Sequence, residues 1–233
     1  MMRILVLAII SAIPGWPLRR LLYRLFFGYR FGEGARIAML SVVDAKKLTM
    51  AEGAKIRGVG NAILNLDELD MGPYSKMGGP RFGGNRVRGT ANKPSYPKAA
   101  LRLGPCASVG LEHYFDVCAD IELGPNVVVA GLGTVFFTHT FHRPDFEPIH
   151  IGRDVFIGSN CRFQMGTSVA DGCVVGMGAV VVQPVLVSGA MVGGVPAKVI
   201  SDDAGYDAAA AFKLRGHPYF DGERIVHPPS RQG

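Results

Sequence analysis

The chain has 233 residues, 48% of them apolar, with 31 glycines; that length is one domain or one with small appendages, and so much glycine suits a turn-rich β fold and excludes a helical bundle. The formal net charge is +6, divided unevenly: residues 1–102 carry 17 Lys+Arg against 6 Asp+Glu, and residues 103–233 carry 8 against 13. The basic half suits an anionic lipid, cofactor or glycan, whereas its dispersed charges, without a helix-turn-helix, zinc-finger or RNA-recognition signature, argue against nucleic acid.

No apolar run reaches the roughly 18 residues that a membrane-spanning helix needs, so no ordinary transmembrane helix is expected. Residues 1–13 are apolar and stop at Pro14–Gly15, with no cleavage site of the A-x-A type behind them. From Pro17 to Gly28, Leu18, Leu21, Leu22, Leu25 and Phe26 fall at helical spacing among Arg19, Arg20 and Arg24, which predicts a basic amphipathic helix. Residues 1–30 therefore read as an N-terminal helical segment, either a peripheral membrane contact or a helix packed on the body of the protein, and dispensable for folding. Weak six-residue repeats begin at Ile37. Residues 72–98, rich in Gly, Pro and basic side chains, predict one long loop projecting from the body, where Tyr74, Arg81, Arg86, Arg88 and Tyr96 could touch a glycan or a phosphate. The period of six returns from Leu103 to Val127, is interrupted by a loop over 133–150, and runs on from Ile151. The two stretches read as one continuous frame, because the gap from Val127 to Ile151 is a multiple of six. Residues 201–233 read as a C-terminal helix and tail: an Ala-rich stretch from Ala204 predicts a short helix, and the last residues from His227 a loose tail.

The strongest pattern lies within 149–182. Read in sixes from Ile151, the first position is always apolar: Ile151, Ile157, Phe163, Val169, Val175, Val181. The second is usually small (Gly152, Gly158, Ala170, Gly176), and the fifth is small or β-branched (Val155, Cys161, Thr167, Cys173, Ala179, Val185). A period of six is neither helical nor a plain strand alternation; it marks a solenoid whose units bury their apolar faces only by stacking. Gly at the second position would let the backbone turn tightly. The four cysteines, Cys106, Cys118, Cys161 and Cys173, form no C-x-x-C pair, and Cys161 and Cys173 read as small buried side chains in a reducing compartment.

These repeats, the loop from Phe136 to Gly152 ahead of them and the segment Gly193–Ile200 behind them resemble the hexapeptide-repeat acyltransferases, in particular sugar and polysaccharide O-acetyltransferases. The resemblance implies an all-β fold: a left-handed parallel β-helix over residues 31–200, with a short N-terminal helix, the projecting loop and a short C-terminal helix. It also implies a homotrimer that transfers an acetyl group from acetyl-CoA to a sugar or glycan hydroxyl. The setting it suggests is surface polysaccharide or glycolipid biosynthesis, in the cytoplasm or at the inner face of the membrane.

Acyl transfer to a hydroxyl needs a base for the attacking proton, and histidine suits it because its pKa lies near neutrality. His139 matches the family's base by position, with His142 the alternative base or a substrate contact. An acceptor should orient the imidazole; Glu112, Asp116, Asp145 and Glu147 are candidates among which the sequence does not choose, and Asp145 and Glu147 are also candidate substrate contacts. His113 and His150 read as structural. By the resemblance, Phe156 and Ser159 flank the thioester end of acetyl-CoA, Gly176, Met177, Gly178 and Ala179 form the turn that receives the pantetheine amides, and Lys198 meets a CoA phosphate. Gln183 stands where the family often has Lys. N-acetylation of an amino sugar competes with O-acetylation. A zinc γ-carbonic anhydrase is disfavoured because residues 151–182 contain no His to hold a metal, and no metal is expected; a purely structural solenoid leaves the histidine loop unexplained.

Overall fold

The computed structural model describes residues 2–79, 84–93, 95–140 and 145–228. The body is a left-handed parallel β-helix, a triangular prism with three stacked faces. The first face stacks Arg30–Phe31, the second halves of the long strands Val42–Met50 and Ala62–Met71, then Ala100–Leu103, Ile121–Leu123, Ile149–Ile151 and Ser168–Val169. The second stacks Arg36–Ile37, Lys55–Ile56, Lys76–Met77, Ser108–Leu111, Val128–Leu132, Phe156–Ile157, Val174–Val175 and Met191–Gly193. The third stacks the first halves of the two long strands, then Arg86–Gly89, Tyr114–Val117, Val135–Phe137, Arg162–Phe163 and Val180–Val181.

The chemistry of the six-residue unit comes from this geometry. First-position side chains Ile151, Ile157, Phe163, Val169, Val175 and Val181 are all buried, as are Val155, Cys161, Thr167, Cys173 and Ala179 at the fifth, whereas Val185 is only half-buried. Branched and aromatic residues fill the interior, and Phe115, Phe136 and Phe163 stack at 4.7 Å between successive rings, a spacing that adds attraction beyond area burial. The second-position glycines differ in cause from the expectation. Their φ is not positive; a Cβ on Gly158 would come within 2.8 Å of Met177 N, and one on Gly124 within 2.6 Å of Gly152 O. Close approach of one coil to the next requires them. The left-handed turn falls two residues later, at the fourth position: Asp154 (φ 57°), Asn160 (58°), Gly166 (72°), Gly172 (73°), Gly178 (75°), where Gly, Asn and Asp are favoured.

The frame is not continuous. Ile151 stacks on Val169 across three whole six-residue units, whereas Leu103 stacks on Leu123 and Leu123 on Ile151, and neither of those spacings is a multiple of six. The two departures together restore the phase, so the in-phase reading of 103–127 with 151 is overturned. The expected loop over 72–98 is also corrected. Lys76–Met77 and Arg86–Gly89 are rungs of the second and third faces, with Met77 and Val87 buried, so the described excursion is confined to about 90–99. The loop over 133–150 narrows similarly, since Val135–Phe137 and Ile149–Ile151 are strands.

Helices α1 (Met2–Ala12) and α2 (Trp16–Phe27) cover the open end of the first coil; two helices stand where one was expected. Leu7, Ile10 and Tyr23 are buried in the core, Arg3 bonds Asp44 at 2.6 Å, and Trp16 meets Phe31 edge-on at 5.3 Å. The packing alternative for this segment is therefore realised on one face, where Leu7, Ile10, Tyr23 and Tyr29 join the core. Gly28 closes α2 in the left-handed conformation, its N–H bonding Arg24 O and Tyr23 O, as glycine does at helix ends. At the far end Lys198–Ser201 turns back antiparallel on Met191–Gly193. Helix α3 (Ala208–Leu214), capped by the Asp207 side chain, leads into a hairpin of Tyr219–Phe220 and Ile225–Val226 that was not expected; most of the expected loose tail from His227 lies outside the described residues. Asn126 clamps that hairpin, donating to Phe220 O at 2.6 Å and accepting from Phe220 N at 2.7 Å.

Candidate active site

Departures from the six-residue period gather at one corner of the prism, between the third and first faces. Three successive coils leave the frame there: at about 90–99, at 118–120 and at 138–148. The residues they carry line a cavity of about 220 Å³ walled by Arg88, Lys93, Tyr96, Tyr114 and Phe137, with Asp116, Cys118 and His139 at one side. Stacking places the three excursions one above another.

Thr138 joins two of them. Its hydroxyl is fully buried, accepts from the N–H groups of Cys118 (2.8 Å) and Ala119 (2.9 Å) and donates to Asp116 O at 2.7 Å. The next residue, His139, pairs across the loop with Phe146 in an antiparallel bridge. Its Nδ1 lies 2.9 Å from Asp116 Oδ2, and both side chains are mostly buried. A carboxylate facing Nδ1 favours the tautomer with the proton there, which leaves Nε2 as the basic nitrogen. Of the four carboxylates considered, Asp116 is the one set against this imidazole. Phe146 packs on Tyr96 at 4.9 Å, and Lys93 lies over the Tyr96 ring at 4.9 Å, so the first excursion leans on the third.

Asp116, Cys118 and His139 offer ligand atoms within 4.8 Å of one another. Metal binding would need the thiolate, and burial, followed by the Asp116 charge, pushes the Cys118 thiol up to about 12. Burial raises the Tyr114 phenol as well, with the Asp116 charge adding to it. Cys106, Cys161 and Cys173 are also buried free thiols held up by desolvation.

Other expected site residues fall elsewhere. His142 and Arg81 lie outside the described residues. Arg88 and Tyr96 reach the cavity wall, whereas Tyr74 sits at another corner, its ring 4.8 Å from His227. Arg86 is exposed on the third face. Asp145 and Glu147 are exposed and do not line the cavity; Glu147 N bonds Thr138 O at 3.2 Å on the return strand of the loop. Glu112 lies in a left-handed turn, away from the imidazole. Phe156 is half-buried and meets Tyr206 at 5.7 Å, within a small core of Cys106, Val128, Phe212 and Tyr219 that the C-terminal segment lays on the second face. The Ser159 carbonyl accepts from Gly178 N at 2.9 Å. Met177 is open to solvent at 76%, but Ala179 is fully inside the coil. Its N–H bonds Gly176 O and its carbonyl accepts from Arg162 N. Lys198 is exposed on the closing strand. Lys93, Tyr114 and Thr138 carry no site signal in the sequence, and Asp116 is only one carboxylate of four there. The signal that could find them is the slip from the period of six between Phe115 and Leu123, hidden by the phase that returns at Ile151.

His113 and His150 are not part of the cavity. His113 is buried at another corner, accepting from Thr134 N at 3.1 Å and donating its own backbone N–H to Asn85 Oδ1 at 2.8 Å, and burial pushes its pKa down to about 4. His150 stands on the first face, Nδ1 3.1 Å from Glu122, over a larger, open groove of about 580 Å³.

Residues 148–183 match the family model described as the hexapeptide repeat of succinyl-transferase. Among curated proteins, a probable acetyltransferase of Mycobacterium tuberculosis is 24% identical over 211 residues, 84% of this chain and 64% of that protein. The 2,3,4,5-tetrahydropyridine-2,6-dicarboxylate N-acetyltransferase of Staphylococcus aureus is 37% identical over 81 residues, 35% of this chain and 30% of that one. The chain thus spans under two thirds of the length of these relatives. Among solved structures, a hexapeptide-repeat acetyltransferase of Vibrio cholerae in complex with acetyl-CoA superposes with a TM-score of 0.45 at 20% identity, covering 82% of this chain and 79% of that one.

Proposed function

We propose that this hexapeptide-repeat protein is an acyltransferase that moves an acetyl group from acetyl-CoA to a hydroxyl of a sugar or glycan, with His139 as general base. The observation that carries the reading is the His139–Asp116 pair at 2.9 Å, set at one side of a small cavity walled by Tyr, Arg and Lys side chains. Phenol, guanidinium and ammonium groups are what a polyhydroxylated acceptor needs for orientation. In this reading Nε2 of His139 takes the hydroxyl proton as the oxygen forms its bond to the thioester carbonyl. Asp116, 2.9 Å from Nδ1, offsets the imidazolium charge. The carbon–sulfur bond then breaks, and the same proton passes to the departing thiolate, so base and acid are one group in turn. Ser159 and the turn Gly176–Gly178 are proposed to flank the acyl donor and Lys198 to meet one of its phosphates; His142 is proposed as an acceptor contact.

N-acetylation of an amino sugar is the second reading, favoured by the N-acetyltransferase activity of the staphylococcal relative. The two differ at the base. A hydroxyl must lose its proton during attack, whereas an amine arrives with its lone pair once neutral, so loss of His139 should cost O-transfer more than N-transfer.

The association state and the setting belong to the same proposal: a homotrimer, held at an anionic membrane surface by α1 and α2. Leu5 and Ile9 on α1, and Leu18, Leu21, Leu25 and Phe26 on α2, are exposed, Leu25 at 70% and Phe26 at 66%. No acidic residue occurs before Glu33, and five arginines do. An apolar stripe among arginines fits the boundary between acyl chains and anionic headgroups.

The test of the class is calorimetric titration with acetyl-CoA, with metal content measured on the same sample. Saturable binding near one site per chain without stoichiometric zinc supports the acyltransferase. Absence of binding together with stoichiometric zinc contradicts it.

A further inference from the structure

Across three adjacent coils of the second face, Arg36, Lys55 and Lys76 stand in register, one above another. The residues after them, Ile37, Ile56 and Met77, are buried, so the three cationic side chains share the outer surface. Strands of a sheet lie about 4.8 Å apart, and like charges directly opposite each other repel. Elsewhere this protein alternates its rungs. On the first face Asp70, Arg102 and Glu122 share a register, with Arg102 3.0 Å from Glu122 and 2.6 Å from Asp120. Among the described residues of the second-face row no such neutralisation occurs. Arg36, Lys55, Arg57, Lys76 and Arg215 make no ion pair among the described residues, and the corner carboxylate Glu52 accepts from the Tyr74 hydroxyl instead.

The C-terminal segment adds to this charge. It crosses the second face after α3 and brings Arg215 and His217 beside Lys76, with Lys76 Nζ 3.4 Å from His217 Nδ1. Between them lies a cavity of about 70 Å³ whose polar wall includes Ser108 and whose apolar wall includes Phe212. Arg57, next to the strand that carries Lys55, donates one nitrogen to Gly78 O at 3.0 Å, but its Nε is buried with no partner. Burial, then Arg57 and Lys55, hold the Lys76 ammonium below its ordinary pKa, and burial, then Lys76, Arg57 and Arg215, do the same to His217. Among the described residues no acid offsets this group of cations.

We propose that Lys76, Arg215 and His217, with the Ser108 hydroxyl, form a binding site for a phosphate group, on the second face and away from the His139 cavity. The donors suit a tetrahedral oxyanion: an ammonium, a guanidinium fork and a hydroxyl line one small cavity, with Arg57 adding positive charge nearby, and a dianion offsets several of these charges at once where a carboxylate offsets one. The phosphate belongs either to the 3′-phosphate of CoA or to a separate phosphorylated ligand. The site does not depend on the acyl-transfer reading.

The experiment uses the full chain at low ionic strength, titrated with inorganic phosphate by calorimetry, with melting followed in parallel. Phosphate should bind saturably near one site per chain and raise the melting temperature. Lys76→Gln and His217→Asn should each weaken binding by about tenfold. Because Lys76→Gln relieves repulsion, its melting temperature without phosphate should stay level or rise, while the phosphate-dependent increase shrinks. Absence of saturable binding, binding unchanged in both variants, or a lowered melting temperature of Lys76→Gln without phosphate would overturn the proposal. Displacement of phosphate by CoA but not by dephospho-CoA would assign the phosphate to CoA; displacement by neither would assign it to a separate ligand, and both support the site.

Discussion

At the scale of single residues, the roles rest on what lies within a few ångströms of each side chain. Asp116 faces His139 Nδ1, so Asp116→Asn should keep the fold while lowering transfer by about tenfold to a thousandfold, measured as thiol release from acetyl-CoA with a hydroxyl acceptor. The amide would leave the tautomer unspecified and the imidazolium charge unmatched. Gly158 illustrates a different constraint. Since a Cβ there would lie 2.8 Å from the backbone nitrogen of the coil above, and backbone cannot swing aside as a flexible side chain does, Gly158→Ala should cost about 1–3 kcal/mol and lower the melting temperature. His113 carries an acid sensitivity. Its imidazole is buried neutral with a pKa of about 4, against about 6.5 in an unfolded chain. Between those values the unfolded state binds the extra proton, so stability is fully present above about pH 6.5 and falls as pH drops towards 4, by at most about 1.4 kcal/mol per pH unit. Chemical denaturation at pH 7 and pH 5 should show this loss in the wild type and less of it in His113→Asn.

At the scale of elements, the excursions at one corner are the units that make a site out of a repetitive coil. Thr138 fastens the second excursion to the third, and Thr138→Val would leave the N–H groups of Cys118 and Ala119 without their acceptor. Each such loss costs about 1–3 kcal/mol, and the carboxylate carried on the same strand should shift, so activity should fall together with stability. Helices α1 and α2 have one face in the core and one in solvent. Leu21→Glu with Leu25→Glu should leave melting unchanged yet abolish sedimentation with anionic vesicles; vesicle binding retained by this variant, or a change in oligomer size instead, would contradict the membrane contact. What the sequence disclosed at this scale has a physical reason. Interior positions 151–181 were legible because burial demands an apolar residue every sixth position, and every one of them is buried. Helix α2 was legible from its spacing of leucines, whereas its docking depends on Tyr23, Tyr29 and Phe31 meeting across the first coil, which no local pattern reveals.

For the whole molecule, the prism gives each chemistry its own place: the His–carboxylate cavity at one corner, the cation row on the second face, and the helices over the first coil. His139 could be singled out because it comes after Phe136, Phe137 and Thr138, just before the regular repeats. Its partner could not. Asp116 sits one coil earlier and is brought opposite only by the unequal spacings from Leu103 to Leu123 and from Leu123 to Ile151, which cancel in the phase of six. Composition misled at 72–98, where Gly suggests a loop but serves tight coil contacts: at Gly72 and Gly89 a Cβ would meet backbone atoms at 2.9 and 2.5 Å. Because α1 and α2 close the prism end, deleting residues 1–28 should expose Ile37 and Val43 and yield aggregates, seen by light scattering. The central claim, that this corner transfers acyl groups with His139 as base, is tested most directly by single-turnover transfer from acetyl-CoA to a hydroxyl acceptor in His139→Ala beside the wild type, with acetyl-CoA affinity measured on both. The account predicts a rate lower by about a hundredfold or more at unchanged affinity; near-normal turnover in the variant would contradict it.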